Sequence, residues 1–194
     1  DGATPLIWAA SQGHTDVVKI LLNKGANPLI EDDHGKTALV HALLKNHLQS
    51  AQLLYKGGAD LNINLLYAAK RGFPEMVTYL LKQGADHSWI TEKQETPLIL
   101  ASLAKNHKCA EILLKQGADP DWTDQNSLSA LNHAVMNGDL EMVNLLLVHS
   151  ADPNSTGAQG NTSLMNAVSH GYPLIAQKLL ESGAQVDEVN PVSY

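Results

Sequence analysis

A cysteine two residues after a histidine is the first place to look for chemistry in this sequence, because an imidazole can activate a thiol as a nucleophile. The residues are His107 and Cys109, and Cys109 is the single cysteine of the chain. Val17, Met76 and Ile175 occupy the matching position in similar segments, so Cys109 is predicted to be an inward-facing structural residue. One cysteine also excludes an internal disulfide and suits a reducing compartment.

Phosphate and metal chemistry are not supported by residue spacing either. HGKT, residues 34–37, resembles the end of a phosphate-binding loop, but the first glycine of that motif would have to be Ile30. The nine histidines form no pair at ligand spacing with cysteine or carboxylate support, and Asp32 and Asp33 are expected to be solvated loop charges. The sequence therefore predicts no catalytic residue, no metal, no cofactor and no enzyme activity.

The composition narrows the classes of partner. The 194 residues carry 13 Lys+Arg against 20 Asp+Glu, a net charge of −7, without the basic cluster that a nucleic-acid surface needs. No apolar run approaches the ~18 residues of a membrane span. A protein that contacts neither nucleic acid nor membrane, and that resides in the cytoplasm, is predicted.

A fixed period organises the chain. Turn residues recur at intervals of 33 in residue number at Gly25, Gly58, Gly84, Gly117, Ser150 and Gly183, except that Gly58 and Gly84 are only 26 apart. Leucines follow the same rhythm at Leu6, Leu39, Leu65, Leu98, Leu131 and Leu164. Seven residues are therefore missing between the second and third copies, and a fixed period predicts an array of repeated structural units.

Each copy is predicted to contain two helices. Thr4 offers an N-cap oxygen and Pro5 fits the first position of a helix, where its missing N–H costs nothing. Equivalent caps stand at Thr37, Thr96, Ser129 and Thr162. The third copy has Ile63 at this position and is predicted to lose the cap. A second helix ends at the glycine of each G-A-D, a left-handed cap.

The pattern T-P-L-x-x-A-(A/S), followed by G-H-x-x-V-V-x-x-L-L-x-x-G-A, resembles the ankyrin repeat, and ATPLIWAASQGHTDVVKILLNKGAN matches it closely. The resemblance implies an all-α solenoid of stacked helix-turn-helix units with short β-hairpin fingers. It implies one domain, 1–194, in which the second repeat lacks its finger. The repeats are expected at 1–31, 32–63, 64–90, 91–123, 124–156 and 157–190. Asp1 corresponds to the third residue of a repeat, so a further repeat or domain is expected before it.

The first helix of each repeat is predicted to present one row of side chains away from the stack. Leu6, Ala9 and Ala10 share the inner face, whereas Trp8 lies opposite. The matching outer positions are His41, Tyr67, Leu100, His133 and Asn166. The centre of a partner-binding surface is predicted to consist of Trp8, His41, Tyr67, Lys70 and Arg71. Two alternatives remain open: Trp8 packs against its neighbours, and Lys70 and Arg71 are simply solvated.

Two further features belong to the connections between repeats. Trp89 and Trp122 occupy the same finger position in consecutive repeats, and either stiffen adjacent fingers or face a partner. Asn62 and Asn154 lie in a G-A-D-x-N or S-A-D-x-N context that resembles asparaginyl hydroxylation sites of ankyrin repeats. Turn hydrogen bonding explains these asparagines equally well.

The predicted function is a monomeric protein-interaction scaffold that binds another protein or a peptide on the helix face and the fingers. The alternative is a non-catalytic targeting or substrate-recruitment region of a larger enzyme, an adaptor, or a secreted effector acting in a host cytosol. A small anionic ligand near Lys36, Lys70 and Arg71 is the weakest possibility, given the acidic balance. Fold alone does not choose among them.

Overall fold

The computed structural model describes residues 2–157 and 159–190. These residues form six consecutive pairs of α-helices. The bounds are α1 Pro5–Ser11, α2 Thr15–Asn23, α3 Ala38–Leu44, α4 Leu48–Lys56, α5 Leu61–Arg71, α6 Pro74–Lys82, α7 Pro97–Leu103, α8 His107–Lys115, α9 Ala130–Met136, α10 Leu140–Val148, α11 Ser163–Ser169 and α12 Pro173–Glu181. We call the odd-numbered helices A helices and the even-numbered ones B helices. Three parts of the sequence lie outside the described residues: Asp1 in the first predicted repeat, Ala158 in the last one, and residues 191–194 after it.

Five A helices begin at the predicted caps. The Thr4 hydroxyl accepts the N–H of Ile7 at 3.2 Å, and the Thr37 hydroxyl accepts that of Val40 at 3.3 Å. Thr96, Ser129 and Thr162 act in the same way at the starts of α7, α9 and α11. Each hydroxyl satisfies one of the N–H groups that a helix start leaves without an intrahelical partner.

The third A helix differs from the prediction that its cap is lost. Helix α5 begins at Leu61, inside the predicted second repeat 32–63, and has 11 residues where the other A helices have 7. Asp60 Oδ1 accepts the N–H groups of Asn62 at 2.8 Å and Ile63 at 3.1 Å. The prediction was wrong because a carboxylate three residues earlier caps a helix that starts almost one turn sooner.

The early start of α5 leaves a short connection. Only Gly57–Asp60 separates α4 from α5, whereas the connections before α3, α7, α9 and α11 are longer and equal in length, at 24–37, 83–96, 116–129 and 149–162. Three of those long connections close with an isolated antiparallel bridge, at Glu31–Thr37, Thr123–Ser129 and Thr156–Thr162. The connection after α4 is thus too short for a finger, as the spacing of Gly58 and Gly84 predicts.

The described chain divides into two compact units. The first contains the chain as far as Asn64 together with Lys82–Ala85, and the second contains Leu65–Leu81 and the chain from Asp86 onward. In the first unit α1 packs on α3 and α2 on α4. In the second, α7 packs on α9 and α9 on α11, while α8 packs on α10 and α10 on α12. Within each unit, helices of one kind therefore stack on their own kind.

The periodic leucines form the interior of these stacks. Leu6 and Leu39 are buried in the first unit, and Leu65, Leu98 and Leu131 are buried in the second. Leu164 of the last A helix is only half-buried and borders an open cleft of about 470 Å³ with Val168 and Leu180. Alanines beside the leucines, such as Ala10 and Ala134, have no exposed surface and let the helices approach closely.

No helix among the described residues is both long enough and apolar enough to cross a membrane.

Candidate functional site

The end of α5 brings together an aromatic and cationic cluster in the second unit. Arg71 lies four residues after Tyr67, on the same side of the helix, and its guanidinium carbon is 5.6 Å from the centre of the Tyr67 ring. The ring of Phe73, just beyond the helix, lies 6.2 Å from that of Tyr67. Lys70 is exposed beside them. The predicted residues Tyr67, Lys70 and Arg71 thus occupy one surface, with Phe73 as an addition that helical periodicity did not indicate.

Asn106 holds this helix end in place. Its Nδ2 donates to the carbonyl oxygens of Ala69 at 2.8 Å and Lys70 at 3.1 Å, which are among the carbonyls that a helix end leaves without a partner. Gly72 follows at a positive φ of 75°, and a Cβ there would lie 2.6 Å from the Asn106 amide oxygen. Glycine adopts this conformation more readily than other residues do, and the two bonds from Asn106 fix the backbone that presents the cluster.

Trp89 and Trp122 are exposed on the connections that precede α7 and α9. Their side chains leave 45% and 38% of their surface accessible. The indole N–H of Trp122 donates to the Gln94 carbonyl at 2.9 Å, and the N–H of Gln125 donates to the Lys93 carbonyl at 3.0 Å. Trp122 therefore ties two neighbouring connections together and still offers an open ring surface, so the two interpretations of this residue are compatible.

Trp8 and His41 hold equivalent places in the first unit but have different surroundings. Trp8 is 54% exposed on α1. His41 Nε2 lies 2.8 Å from Asp32 Oδ2, which braces the preceding connection against α3. Trp8 is thus available for contact, whereas one imidazole nitrogen of His41 is already engaged.

A second exposed row on the A helices was missed in the sequence. Leu44 in the first unit, and Leu103 and Met136 in the second, are exposed apolar side chains at the position that Ser11 holds in the first repeat. Counting forward from Ser11 with the period, and with the shorter interval before the third copy, locates all three. In each unit these side chains add apolar contact area to the exposed side of the A helices.

The two asparagines of the hydroxylation hypothesis are in unlike places. Asn62 lies in the first turn of α5, where its N–H is bonded to Asp60. Both ends of the Asn154 carboxamide bond the chain of the last repeat, with Nδ2 donating to Gly183 and Oδ1 accepting from Gln185 at 2.9 Å. Asn154 has a bridging role, and hydroxylation of either residue stays a prediction.

Cys109 is buried on α8, in agreement with its structural interpretation. Burial, followed by the charge of Glu75, raises the pKa of its thiol to about 11, so the reactive thiolate is scarce at neutral pH. In the ranges 2–157 and 159–190, no group of three or more His, Cys, Asp or Glu side chains is arranged to hold a metal ion.

Comparison with known proteins places these features in a family context. A model described as ankyrin repeats, three copies, matches residues 1–64, 65–124 and 105–190. A 103-residue stretch is 39% identical to the potassium channel AKT2/3 of Arabidopsis thaliana and covers 48% of this chain but only 13% of the channel. The chain therefore spans a small part of that curated relative.

Two solved structures extend the comparison to three dimensions. An ankyrin repeat domain from Acinetobacter baumannii AYE superimposes with a TM-score of 0.77 at 29% identity, over 93% of this chain and 98% of that one. The ankyrin repeat domain of Bcl-3 superimposes with a TM-score of 0.80 at 28% identity, over 98% of this chain and 90% of that one. The predicted all-α ankyrin-repeat fold class is thereby confirmed.

Proposed function

The chain belongs to the ankyrin-repeat family, and on that premise we propose that it is a non-catalytic scaffold that binds a partner protein or peptide through its A helices and fingers. Ankyrin repeats are in general protein-interaction modules. Stacked repeats suit this task because contacts between neighbours maintain the fold, so outward residues are free to serve recognition. The proposal includes a monomeric protein in the cytoplasm, without nucleic-acid or membrane partners.

The cluster of Tyr67, Lys70 and Arg71 is the observation that carries the proposal. Tyrosine and arginine are enriched among residues that dominate binding energy, because both offer a large contact area with a polar end. The stacking of Arg71 on Tyr67 restricts both side chains before a partner arrives, which lowers the entropy cost of binding. Trp8, Trp89 and Trp122 supply further exposed aromatic area, and His41 contributes through the nitrogen that Asp32 leaves free.

The test is affinity capture with the immobilised chain, followed by mass spectrometry and by titration calorimetry with the purified partner. The double variant Tyr67→Ala, Arg71→Ala is expected to bind the partner at least tenfold more weakly. A tenfold loss of affinity corresponds to about 1.4 kcal/mol, and the loss of a binding hot spot costs that much or more. The matched control is Leu174→Ala, which removes an exposed apolar side chain at the start of α12. Unchanged affinity in the double variant, with its circular dichroism and melting retained, would contradict the proposal.

A second candidate is a recruitment region within a larger protein, such as an enzyme, an adaptor or a secreted effector. The match to the potassium channel supports it, because the segment similar to this chain covers only 13% of that protein. The sequence of the complete natural protein would decide between the two candidates.

A further inference from the structure

The connections of the second unit carry an unbalanced charge beside their tryptophans. We define the finger surface as residues 86–96, 116–129 and 149–157. These segments contain seven acidic residues and a single lysine, Lys93. The acidic residues are Asp86, Glu92, Glu95, Asp119, Asp121, Asp124 and Asp152. The whole chain has a net charge of −7, so much of its excess negative charge is concentrated on this surface.

Most of these carboxylates are open to solvent. Asp124 is buried and engaged by His133, and Glu95 accepts a hydrogen bond from the Thr91 hydroxyl at 3.0 Å. The other five acidic side chains are exposed. Within the described part of the chain, Glu92, Asp119, Asp121 and Asp152 form no ion pair with a lysine or an arginine. Their charge is therefore not neutralised by the protein.

The carboxylates next to Trp122 are held by main-chain hydrogen bonds. Asp119 Oδ1 accepts the N–H of Asp121 at 2.9 Å, and Asp121 Oδ1 accepts the N–H of Asp152 at 2.8 Å. The second oxygen of each of these two carboxylates accepts no hydrogen bond from the described residues. Because Trp122 is fixed through Gln94, the indole and the neighbouring negative charges keep a constant geometry.

Exposed indole rings among uncompensated carboxylates select for one kind of ligand. Among aromatic side chains, tryptophan attracts cations most strongly, and the attraction grows as the contact is desolvated. Arginine and lysine side chains combine an apolar stem, which can lie along an indole, with a charge that a carboxylate can bind. An acidic partner would be repelled by the same charges.

We infer that the finger surface of the second unit binds a basic, arginine- or lysine-containing segment of a partner protein, with Trp89 and Trp122 as the aromatic contacts and Glu92, Asp119, Asp121 and Asp152 as the charge partners. The inference rests on the proposed scaffold function and names the chemistry of the partner at the fingers. Trp89 stands where the first unit has Ile30, so the combination of indoles and acids belongs to the second unit.

The experiment uses the full chain labelled with ¹⁵N and a short peptide of alternating arginine and glycine. The three indole N–H signals, from Trp8, Trp89 and Trp122, are assigned by single replacements with phenylalanine. At low ionic strength we expect the peptide to shift the signals of Trp89 and Trp122 and to leave the Trp8 signal unchanged. Its affinity should fall as salt is added. A peptide with glutamate in place of arginine should shift none of them.

Matched variants identify the contributions. Trp89→Ala should lower the affinity for the arginine peptide at least fivefold, whereas Trp8→Ala should leave that affinity unchanged. The double variant Glu92→Gln, Asp119→Asn should lower the affinity for this peptide about threefold and reduce its dependence on salt. The asparagine side-chain oxygen can still accept the N–H of Asp121, so the loop geometry is retained. Equal shifts at Trp8, equal binding of the glutamate peptide, or no shift at millimolar peptide would overturn the inference.

The inference and the proposed function can fail separately. A chain that captures a protein through Tyr67 and Arg71 but ignores the arginine peptide retains the scaffold function and loses the finger assignment. In the opposite case, the chain binds the peptide as described, but alanine at Tyr67 and Arg71 does not change its affinity for the captured partners. The finger assignment would then stand and the proposed site at α5 would be wrong.

Discussion

His133 Nε2 lies 2.9 Å from Oδ2 of Asp124, nine residues earlier in the chain. In the first unit His41 and Asp32 form the equivalent pair at 2.8 Å, with the same separation of nine. The other carboxylate oxygen of each aspartate accepts two main-chain N–H groups of its own turn. Each aspartate therefore joins a finger turn to the A helix that follows it, and both bonds favour the ionised carboxylate.

The Asp32 pair predicts a pH dependence of stability in acid. Burial by itself would raise the pKa of Asp32, but hydrogen bonds from His41 and from the N–H groups of Lys36 and His34 lower it from 3.8 to about 2. A carboxyl whose pKa is lower in the folded state stabilises the fold above its unfolded pKa and loses that contribution as the pH falls. The contribution should thus be complete above about pH 4 and decline between about pH 4 and 2.

Asp32→Asn isolates this contribution. We expect it to reduce the free energy of unfolding at neutral pH by about 1 to 2 kcal/mol, the range for a hydrogen bond to a charged group at a partly screened site. Urea unfolding of the variant and the parent should converge as the pH approaches 2. Glu31→Gln, an exposed neighbour, is the control and should change stability by less than about 0.5 kcal/mol. Curves that stay parallel across this range would contradict the argument.

The periodic leucines predict unequal costs for one substitution. Leu131→Ala should lower the free energy of unfolding by about 2 to 5 kcal/mol, because the side chain is fully buried and a cavity remains. Leu164→Ala should cost less than about 2 kcal/mol, since the cleft beside it is already open to water. Denaturant unfolding measures both values, and equal losses would show that the two environments are alike.

The cap of α5 predicts a selective effect at position 60. Asp60→Ala should destabilise the chain by about 1 kcal/mol, because two N–H groups lose their acceptor. Asp60→Asn keeps an acceptor oxygen and should be nearly neutral. Thermal unfolding of the two variants checks the difference; a harmless alanine would mean that α5 does not depend on this cap.

Ser150 predicts a stabilising substitution. Its φ is +66°, in the left-handed region, at the place where Gly117 and Gly183 have φ values of +90° and +96°. Ser150→Gly should therefore raise the free energy of unfolding by about 0.5 to 1 kcal/mol, since glycine adopts this conformation without a Cβ clash. The reciprocal Gly183→Ser should lower it by a similar amount, although nothing lies near its added Cβ. Unfolding in guanidinium chloride measures both changes, and effects of the same sign would contradict the explanation.

The period of the sequence was sufficient to predict most of the buried leucines and the starts of five of the A helices. Leucines and hydroxyl caps recur because every repeat must bury the same face and satisfy the same N–H groups. The missing finger followed from the spacing of Gly58 and Gly84. These features depend on position within a repeat, which the sequence states directly.

Features that depend on pairs of residues were less accessible. Trp8 and His41 occupy the same position of the repeat. His41 is engaged because Asp32 lies within hydrogen-bond distance, whereas Trp8 is exposed. Asp60 caps α5 from three residues before the position at which the other repeats carry their cap. Recurrence of an aspartate nine residues before a histidine, in the second and fifth repeats, was a visible signal for the His–Asp pairs. The tie between Trp122 and Gln94 had no such signal, because a main-chain carbonyl is its acceptor.

The equal length of the connections before α9 and α11 has a consequence for the history of the gene. The two connections, 116–129 and 149–162, both end in a hydroxyl cap, Ser129 in one and Thr162 in the other. Loss of residues 124–156 would join Thr123 to Gly157 and rebuild a connection of the same length in the same register. Recombination between such copies can therefore add or delete a whole repeat without creating a foreign junction, and the number of repeats becomes a quantity that evolution can adjust in single steps.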